Sequence, residues 1–590
     1  YDNKKIISLD YRTHKILDKH KISHEISDSY LTQTERKTVD DYSVKITSEW
    51  YDEEKIKKFL TYRDVNLGSL IEMEIWQYLT PIYKSSLEIQ KIIEKENPKK
   101  IFAYSSMNDY ISKICKKHTL DVIMLEQSKE PSLHYDIINV KYNIGKIPIS
   151  FNLSRKNFLY IKNITEKIIL TIFNLEAKQI NKKKSILLLD FNPMLYDVLL
   201  REISKIDKQV LLLNQRRPAI WNLTSFNTVR NSNCKILRLE KFQKLISSKQ
   251  EKQLDEFFSK LKKIWNEEEY FEQIFSVNGY SFWSSIKKGF IKKCESRFKE
   301  SIKRILLSHE LFKDSNISVI LEWAETGQEE KEILNVSKKY GVPSIMLQHA
   351  MFPTSIYWNK FDRFKTGYSY PSISEKHAIW GESTKRFALS WNFNENNLLV
   401  TGSPRHDKFF TTSKSFKNKP VIVFATTSVS GISASLSSFS SYEKFDKFVI
   451  EVCQTVKKFP EQQLIVKPHP QQEFIANITE LVTQIDPKIQ IIHNAELVEL
   501  ISSCDVLITF NNSTIALESI ILGKPTISLV IEDWAFEEDI IKSGAVLAIS
   551  QIEEFEPKLR KLLTDKQFRM ELYEKSQKFV ESYLTNRGTA

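Results

Sequence analysis

Short apolar runs of strand length alternate with longer segments of helical spacing along most of this chain. The clearest runs lie at 185–190, 209–213, 317–321, 344–347, 421–425, 464–466 and 506–509. Most are followed by a segment whose apolar residues recur at helical intervals. Alternation of strands with helices is typical of parallel sheets that carry helices on both faces. The pattern therefore predicts an α/β protein.

The chain has 590 residues, too many for a single hydrophobic core. The strand–helix alternation restarts after an aromatic and polar region at 353–376, which predicts a crossover between two units there. We expect two Rossmann-like doubly wound domains that face each other across a cleft, with helical insertions in the N-terminal half. The predicted limits are 1–370 for the first domain, 371–565 for the second and 566–590 for closing C-terminal helices.

One stretch near the C-terminus combines a buried strand with a polar helix start. The apolar run 506–509 leads into Asn511-Asn512-Ser513-Thr514, four residue types that favour helix N-caps, and Gly523 with Pro525 ends the helix that follows. The N-terminus of such a helix lies at the carboxyl edge of the sheet, where a phosphate can bind. Glu518, one turn into the helix, could accept hydrogen bonds from a ribose. The alternative is an ordinary strand–helix unit with a polar cap.

A second polar loop follows the strand at 464–466. There the chain continues as Lys467-Pro468-His469-Pro470, and the two prolines stiffen the backbone. Lysine is a point charge for phosphate, and histidine can give a hydrogen bond or a proton. A single His-Pro pair could equally be a structural loop. Its combination with the later Asn-Asn-Ser-Thr helix start is more specific and favours a phosphate site.

Acidic residues and a histidine follow the strands of the first half. Glu322 and Glu325 come after the run at 317–321, and His349 comes directly after the run at 344–347. Each is a candidate general base, and His349 could instead bind a phosphate or an acceptor. The alternatives are a helix N-terminus whose acidic residues suit the helix dipole, and a structural loop histidine.

Two further elements offer polar side chains at strand ends. Arg405 follows Gly402-Ser403-Pro404 and could clamp an anion, or could pair with Asp407 or another nearby acid. Thr427 and Ser428 lie in a hydroxyl-rich loop directly after the apolar run at 421–425. The serine-rich segment 433–441 is a candidate lid that orders on binding.

The chain is basic, with a formal net charge of +12 and 27% charged residues. A basic balance suits anionic partners such as nucleotide-activated donors, acidic glycans or a membrane surface. The lysines are spread along the chain and no DNA- or RNA-binding motif occurs, which argues against nucleic acid as a partner.

The basic segment 287–303 has two interpretations. A solvated helix with an inward apolar stripe is favoured over a peripheral contact with the membrane.

The five cysteines are far apart and show no spacing typical of a metal site. We interpret them as reduced packing residues of a cytoplasmic protein. No apolar run approaches the roughly 20 residues that a membrane-spanning helix needs, and no signal peptide is evident. No Asp-x-Asp motif stands out. We therefore predict a cytoplasmic protein without cofactor or required metal.

The Lys-Pro-His-Pro and Asn-Asn-Ser-Thr elements resemble the C-terminal domain of nucleotide-sugar-dependent glycosyltransferases with the two-Rossmann GT-B architecture. The chain looks most like capsule and surface-carbohydrate enzymes: bacterial sialyl- and polysialyltransferases, Kdo transferases and CDP-glycerol glycerophosphotransferases. In the sialyltransferase group, a His-Pro motif and a Ser-Ser/Thr motif hold the nucleotide phosphate, and His469-Pro470 and Ser513-Thr514 match these. Gln348-His349 and the Gly-x-Pro-Arg-x-Asp element at 402–407 are also similar. The resemblance covers roughly residues 317–590.

The resemblance implies a metal-independent, inverting transfer of a sugar from a nucleotide-activated donor, with CMP-linked acidic sugars favoured, to a surface glycan or glycolipid. The first domain would bind the acceptor and supply the base, although Glu322 and Glu325 match the acidic-acidic-Gly motif of sialyltransferases only loosely. The implied donor-binding residues are Arg405, Thr427, Ser428, Lys467, His469, Asn512, Ser513, Thr514 and Glu518. Three alternatives stay open: a CDP-glycerol-type glycerophosphotransferase, an isomerase like the UDP-sugar 2-epimerases, and a catalytically inactive glycan-binding subunit.

Overall fold

The computed structural model describes residues 4–590 apart from 104–106, 126–132, 134–135, 145–146, 181, 355–369, 413–419, 428–437, 470–474 and 494. Its N-terminal part is mostly helical, with helices Tyr11–Lys19, Gln33–Glu49, Glu54–Leu60, Leu67–Leu70, Glu72–Glu96, Asn108–Lys117 and Arg155–Ile172. Short strand pairs lie between them: Ile7–Ser8 with Glu25–Ile26, Thr61–Tyr62 with Val65–Asn66, Lys100–Ala103 with Asp121–Met124, and the hairpin Ile137–Ile144 with Ile147–Ser154.

The first large sheet has seven parallel strands. In chain order they are Ser185–Leu189, Gln209–Leu213, Lys235–Ile236, Ile317–Glu322, Ser344–Leu347, Lys376–Ile379 and Leu398–Val400. Their spatial order is third, second, first, fourth, fifth, sixth, seventh. The connecting helices are Asp197–Ile203, Leu223–Asn231, Gln328–Lys339 and Glu382–Ser390. An insertion between the third and fourth strands carries helices Ser248–Leu261, Glu268–Ile274 and Trp283–Lys313, with the strand pair Ser276–Val277 and Tyr280–Ser281.

The second large sheet has six parallel strands. In chain order they are Val421–Ala425, Gln463–Lys467, Gln490–Ile491, Val506–Phe510, Thr526–Leu529 and Leu547–Ile549. Their spatial order is third, second, first, fourth, fifth, sixth. The short helix Asp407–Thr411 precedes this sheet, and its other helices are Phe439–Lys457, Ile475–Ile485, Leu497–Ser502, Thr514–Ile521, Asp539–Lys542, Phe555–Thr564 and the closing Lys566–Tyr583.

Both sheets therefore have the strand order of a doubly wound Rossmann domain. In such a sheet the order reverses between the first and fourth strands, and ligands bind beyond the carboxyl ends of the strands at that point. The predicted fold class, two Rossmann-like units with helical insertions in the N-terminal half, is confirmed.

The sheet membership of two strands differs from the prediction. Lys376–Ile379 and Leu398–Val400 were assigned to the second unit by the predicted limit at 370/371, but they pair in parallel at the edge of the first sheet. One physical reason is the Glu325 carboxylate, which accepts hydrogen bonds from the backbone of 372–374 and so anchors the chain to the first sheet just before residue 376. The change of sheet falls between Val400 and Val421.

The closing helix Lys566–Tyr583 returns to the first unit after packing on the second. Thr585 N donates to Trp380 O at 2.9 Å. Gly402 has a φ of +87°, and a Cβ there would lie 2.3 Å from the Thr585 carbonyl oxygen. Glycine in the Gly-x-Pro-Arg element is thus required by backbone conformation and by the close approach of the returning chain.

The basic helix Trp283–Lys313 packs its apolar stripe inward. Phe290, Phe298 and Ile302 are fully buried, as the favoured interpretation of segment 287–303 expects. Within the described residues, no helix combines the length and apolar character that crossing a membrane requires.

Candidate functional site

Three loops of the second sheet meet at its carboxyl edge. They follow strands Val421–Ala425, Gln463–Lys467 and Val506–Phe510, which are neighbours in the sheet. Thr426 N donates to Lys467 O at 3.0 Å, and His469 N donates to the Thr426 hydroxyl at 3.1 Å. These bonds fix the Lys-Pro-His loop against the first loop. Thr427 follows directly at the same edge, whereas Ser428 and most of the candidate lid at 433–441 lie outside the described residues.

The third loop leads into helix Thr514–Ile521 with an open first turn. Asn511 has a φ of 45°, and its side-chain oxygen accepts from Ile531 N at 3.0 Å, which fixes the turn. Ser513 is the N-cap residue, but its side chain makes no capping hydrogen bond. Asn512 donates to a Glu538 carboxylate oxygen at 2.8 Å. The first-turn N–H groups and the Ser513 hydroxyl are therefore suited to an anionic ligand.

Lys467 and His469 are both half-buried beside this helix start. Burial lowers the pKa of Lys467, and the Glu518 carboxylate opposes that shift. Burial, with a smaller contribution from the Lys467 charge, lowers the pKa of His469 to about 4. His469 is thus neutral at neutral pH. A phosphate placed here would stabilise the charge on Lys467 and accept hydrogen bonds from both side chains.

Glu518 lies at the base of this edge, paired with Arg405. The Arg405 guanidinium donates to Glu518 Oε1 at 2.7 Å and to the His349 carbonyl oxygen at 2.9 Å. Glu518 is 1% exposed, and its Oε2 has no hydrogen-bond partner among the residues that the structure describes. Arg405 was predicted either to bind an anion or to pair with an acid such as Asp407. In the structure it pairs with an acid, and that acid is Glu518. Asp407 instead accepts from Ala590 N at 3.0 Å.

Arg405 ties together the two walls of the cleft. The His349 carbonyl belongs to the loop after the fifth strand of the first sheet, and Glu518 belongs to the second sheet's helix. Lys408 also bonds to both units: its ammonium donates to Met194 O of the first unit at 3.3 Å and to Glu496 of the second unit at 2.8 Å. The candidate base His349 and the candidate donor site therefore lie on facing walls.

The three candidate bases have different environments. The His349 ring packs edge-on to Trp323 at 5.2 Å, and burial followed by the Arg405 charge lowers its pKa to about 4. Glu322 is fully buried, and burial followed by the Glu325 charge raises its pKa well above the usual range, which favours the protonated carboxyl. Glu325 accepts four hydrogen bonds from segment 372–374, three of them from backbone N–H groups.

A charged cluster at the carboxyl edge of the first sheet was not predicted. Asp190 accepts from the N–H groups of Gln215 and Arg216, and Arg216 forms an ion pair with Glu330. Burial raises the pKa of both Asp190 and Glu330. The Trp323 indole donates to the Asp190 carbonyl at 3.0 Å, so the cluster adjoins the His349 loop. A sequence signal did exist, because buried strands end directly at Asp190 and just before Arg216.

Comparisons with known proteins give one family and several structural likenesses. A family model described as LIC12162 family transferase matches residues 154–540, well over half of the chain. No curated protein matches the chain.

Solved structures with some likeness include UDP-GlcNAc 2-epimerase from Neisseria meningitidis bound to UDP-GlcNAc, with 13% identity, 68% of this chain and 95% of that chain covered, and a TM-score of 0.41. MurG of Acinetobacter baumannii has 12% identity, 69% and 97% coverage and a TM-score of 0.36. S. aureus MnaA with UDP has 13% identity, 69% and 93% coverage and a TM-score of 0.43. At these TM-scores the likenesses carry no argument, and the fold rests on the strand order above.

Proposed function

Because the chain belongs to the LIC12162 family of transferases, we propose that it transfers a sugar from a nucleotide-activated donor to a surface glycan or glycolipid. The observation that carries the proposal is the carboxyl edge of the second sheet, which offers groups suited to binding an anion. There Lys467, His469 and the uncapped N-terminus of helix Thr514–Ile521 converge, and His349 lies on the facing wall. Two Rossmann-like sheets with a cleft between their carboxyl edges suit a reaction between a donor and an acceptor.

The proposed donor site holds the nucleotide through its phosphate. As the bond between the anomeric carbon and the phosphate oxygen breaks, negative charge develops on the leaving nucleotide. Lys467, a hydrogen bond from the neutral His469 and the helix N-terminus would stabilise that charge without a required metal ion. Glu518 Oε2, which is buried without a described partner, would accept a hydrogen bond from the ribose. The resemblance of the His-Pro and Ser-Thr elements favours a CMP-linked acidic sugar.

We propose His349 as the general base. It is a neutral imidazole at neutral pH, so it can take the proton of an acceptor hydroxyl as that oxygen bonds to the anomeric carbon. Burial favours the protonated form of Glu322, and the carboxylate of Glu325 is occupied by segment 372–374. Attack from the face opposite the nucleotide would invert the anomeric configuration.

The proposed setting is the cytoplasm or the inner face of the membrane, in capsule or other surface-polysaccharide synthesis. All five cysteines are buried, as packing residues are. The acceptor class is supported by the sequence resemblance alone.

The test incubates the protein with CMP-, CDP-, UDP- and GDP-linked donors and a panel of glycan acceptors, and identifies products by mass spectrometry. Release of free nucleotide together with a new glycoside supports the proposal, and His349→Ala should then lose turnover while keeping nucleotide binding. A donor returned as its 2-epimer indicates an isomerase. Transfer of glycerophosphate indicates the phosphotransferase. Glycan binding without turnover of any donor identifies an inactive binding subunit.

A further inference from the structure

The N-terminal helix Tyr11–Lys19 docks on helix Phe439–Lys457 of the second unit. The Tyr11 hydroxyl donates to Asp446 at 2.9 Å, and its ring stacks on Tyr442 with centroids 4.8 Å apart. His14, one turn further along the same helix, packs edge-on against Phe439 at 5.7 Å. The helix therefore carries His14 into the interface between the N-terminal part and the second sheet.

His14 belongs to a cluster with Asp18 and His24. His14 and Asp18 are four residues apart and so share one face of the helix, and His24 follows after the turn. Each of the three side chains offers a possible ligand atom, and these atoms all lie within 4.8 Å of one another. Only 11% of the His14 side chain and 4% of the His24 side chain are exposed. A cavity of about 390 Å³ adjoins all three residues.

The hydrogen bonds decide where protons can be in this cluster. His24 Nδ1 lies 2.7 Å from the Ile22 carbonyl oxygen, so it carries the hydrogen and leaves a lone pair on Nε2. That Nε2 lies 2.8 Å from His14 Nδ1. The other nitrogen of His14, Nε2, lies 3.2 Å from an Asp18 oxygen and 3.6 Å from a Glu443 oxygen, and carboxylates only accept.

A neutral His14 cannot satisfy both of its nitrogens. With the hydrogen on Nδ1, the Nε2 lone pair faces two carboxylates. With the hydrogen on Nε2, the Nδ1 lone pair faces the lone pair of His24. A metal ion between the histidines would bind both facing lone pairs and leave the Nε2 hydrogen of His14 for the carboxylates.

We propose that the cluster is a zinc site, with His14 Nδ1, His24 Nε2 and Asp18 Oδ1 as ligands. Zinc prefers neutral imidazoles and carboxylates at about 2.0–2.2 Å in a tetrahedron, which corresponds to ligand separations of about 3.3 Å. The observed separations bracket this value, at 2.8 Å between the two nitrogens and 3.9 Å between His24 Nε2 and Asp18 Oδ1. The fourth position would open to the cavity and hold water.

In each histidine, the ring nitrogen that would not bind zinc has an acceptor for its hydrogen. Metal-bound histidines almost always donate their other N–H to a carbonyl or carboxylate. His24 Nδ1–H has the Ile22 carbonyl, and His14 Nε2–H would have Asp18 and Glu443. Because Glu443 belongs to the docking partner Phe439–Lys457, the ion would strengthen the contact between the N-terminal helix and the second unit. The three proposed ligands lie outside residues 154–540, so the metal assignment does not depend on the transferase assignment.

The test uses the full chain, freed of metal by chelation and titrated with Zn²⁺ by calorimetry, with Co²⁺ absorption as a second readout of ligand geometry. His20 is an exposed histidine at the end of the same helix, so His20→Ala is the matched control. We expect one Zn²⁺ per chain in wild type and in His20→Ala, no such binding in His24→Ala, and about 10–100-fold weaker binding in Glu443→Gln.

Two results would overturn the proposal. One is the absence of stoichiometric Zn²⁺ and Co²⁺ binding by the wild type. The other is binding by His24→Ala that equals the wild type. The surface-exposed change Asp18→Asn guards against misfolding, because it should weaken binding in a protein whose far-UV circular dichroism is unchanged.

Discussion

The Arg405–Glu518 pair gives the sharpest prediction about what holds the cleft together. Glu518 is 1% exposed and receives a 2.7 Å hydrogen bond from Arg405. The neighbouring His406 cannot replace this cation, because burial lowers its pKa well below the usual range and keeps it neutral. Arg405→Met would therefore leave a buried carboxylate without its close partner, and breaking a buried pair in this way costs about 3–5 kcal/mol. The same change removes the bond to the His349 carbonyl.

The measurement is urea unfolding of wild type, Arg405→Met, Glu518→Gln and the double variant, followed by circular dichroism and fluorescence. A chain with two large sheets can unfold in more than one step, so each transition is fitted separately. The double variant removes the stranded charge, and its loss of stability should be smaller than the sum of the single losses by about 1–3 kcal/mol. Arg386→Met, at an exposed arginine of helix Glu382–Ser390, is the control and should stay within about 0.5 kcal/mol of wild type.

The reasoning would be refuted by a loss below about 1 kcal/mol in Arg405→Met. Strict additivity of the two single changes would refute it equally, because the pair would then contribute no coupling.

Three further predictions concern the two walls of the cleft. Lys467→Ala should weaken nucleotide binding about 10–100-fold in calorimetry, since a hydrogen bond to a charged group is worth about 1.5–3 kcal/mol, whereas the exposed Lys488→Ala should leave it unchanged. Burial lowers the pKa of His377 to about 3, so the unfolded chain takes up a proton below about pH 6.5 that the folded chain refuses. The free energy of unfolding should therefore decrease as the pH is lowered below about 6.5. In urea titrations, His377→Phe should make this decrease smaller by about 1.4 kcal/mol per pH unit. Parallel pH profiles of variant and wild type would contradict the prediction. Glu322→Gln should change the melting temperature less than Glu325→Gln, because burial raises the pKa of the first carboxyl and so favours its neutral form, whereas the second carboxylate accepts from three backbone N–H groups. A larger change in Glu322→Gln would contradict this account.

The strands of both sheets were predictable because buried parallel strands are continuous apolar runs. The predicted run 506–509 is the strand Val506–Phe510, and the predicted 344–347 is Ser344–Leu347. Helices with few apolar residues were harder to predict. Segment 27–48 is polar and resembles a loop in sequence, yet helix Gln33–Glu49 begins within it, at a capping box between Thr32 and Glu35. That signal was in the sequence, and the scarcity of apolar positions obscured it.

The parts of the site that depend on long-range contacts could not be read from the sequence. Local strand–loop–helix patterns predicted the Lys-Pro-His loop and the helix start at Ser513, because neighbouring residues determine both. The pairing of Arg405 with Glu518 joins residues 113 positions apart, and the cluster of Asp190, Arg216 and Glu330 joins three segments. The first contact depends on how the two sheets are placed and the second on how three segments of the first unit come together, and no local pattern encodes either.

The most direct test of the central claim is a thermal-shift titration with CMP, CDP, UDP and GDP. It compares wild type, His469→Ala and the control His20→Ala. A nucleotide that binds only the folded chain raises its melting temperature by mass action. The account predicts that one nucleotide stabilises wild type and His20→Ala and that His469→Ala loses this shift. If no nucleotide stabilises the wild type, or if His469→Ala responds as the wild type does, the proposed donor site is contradicted.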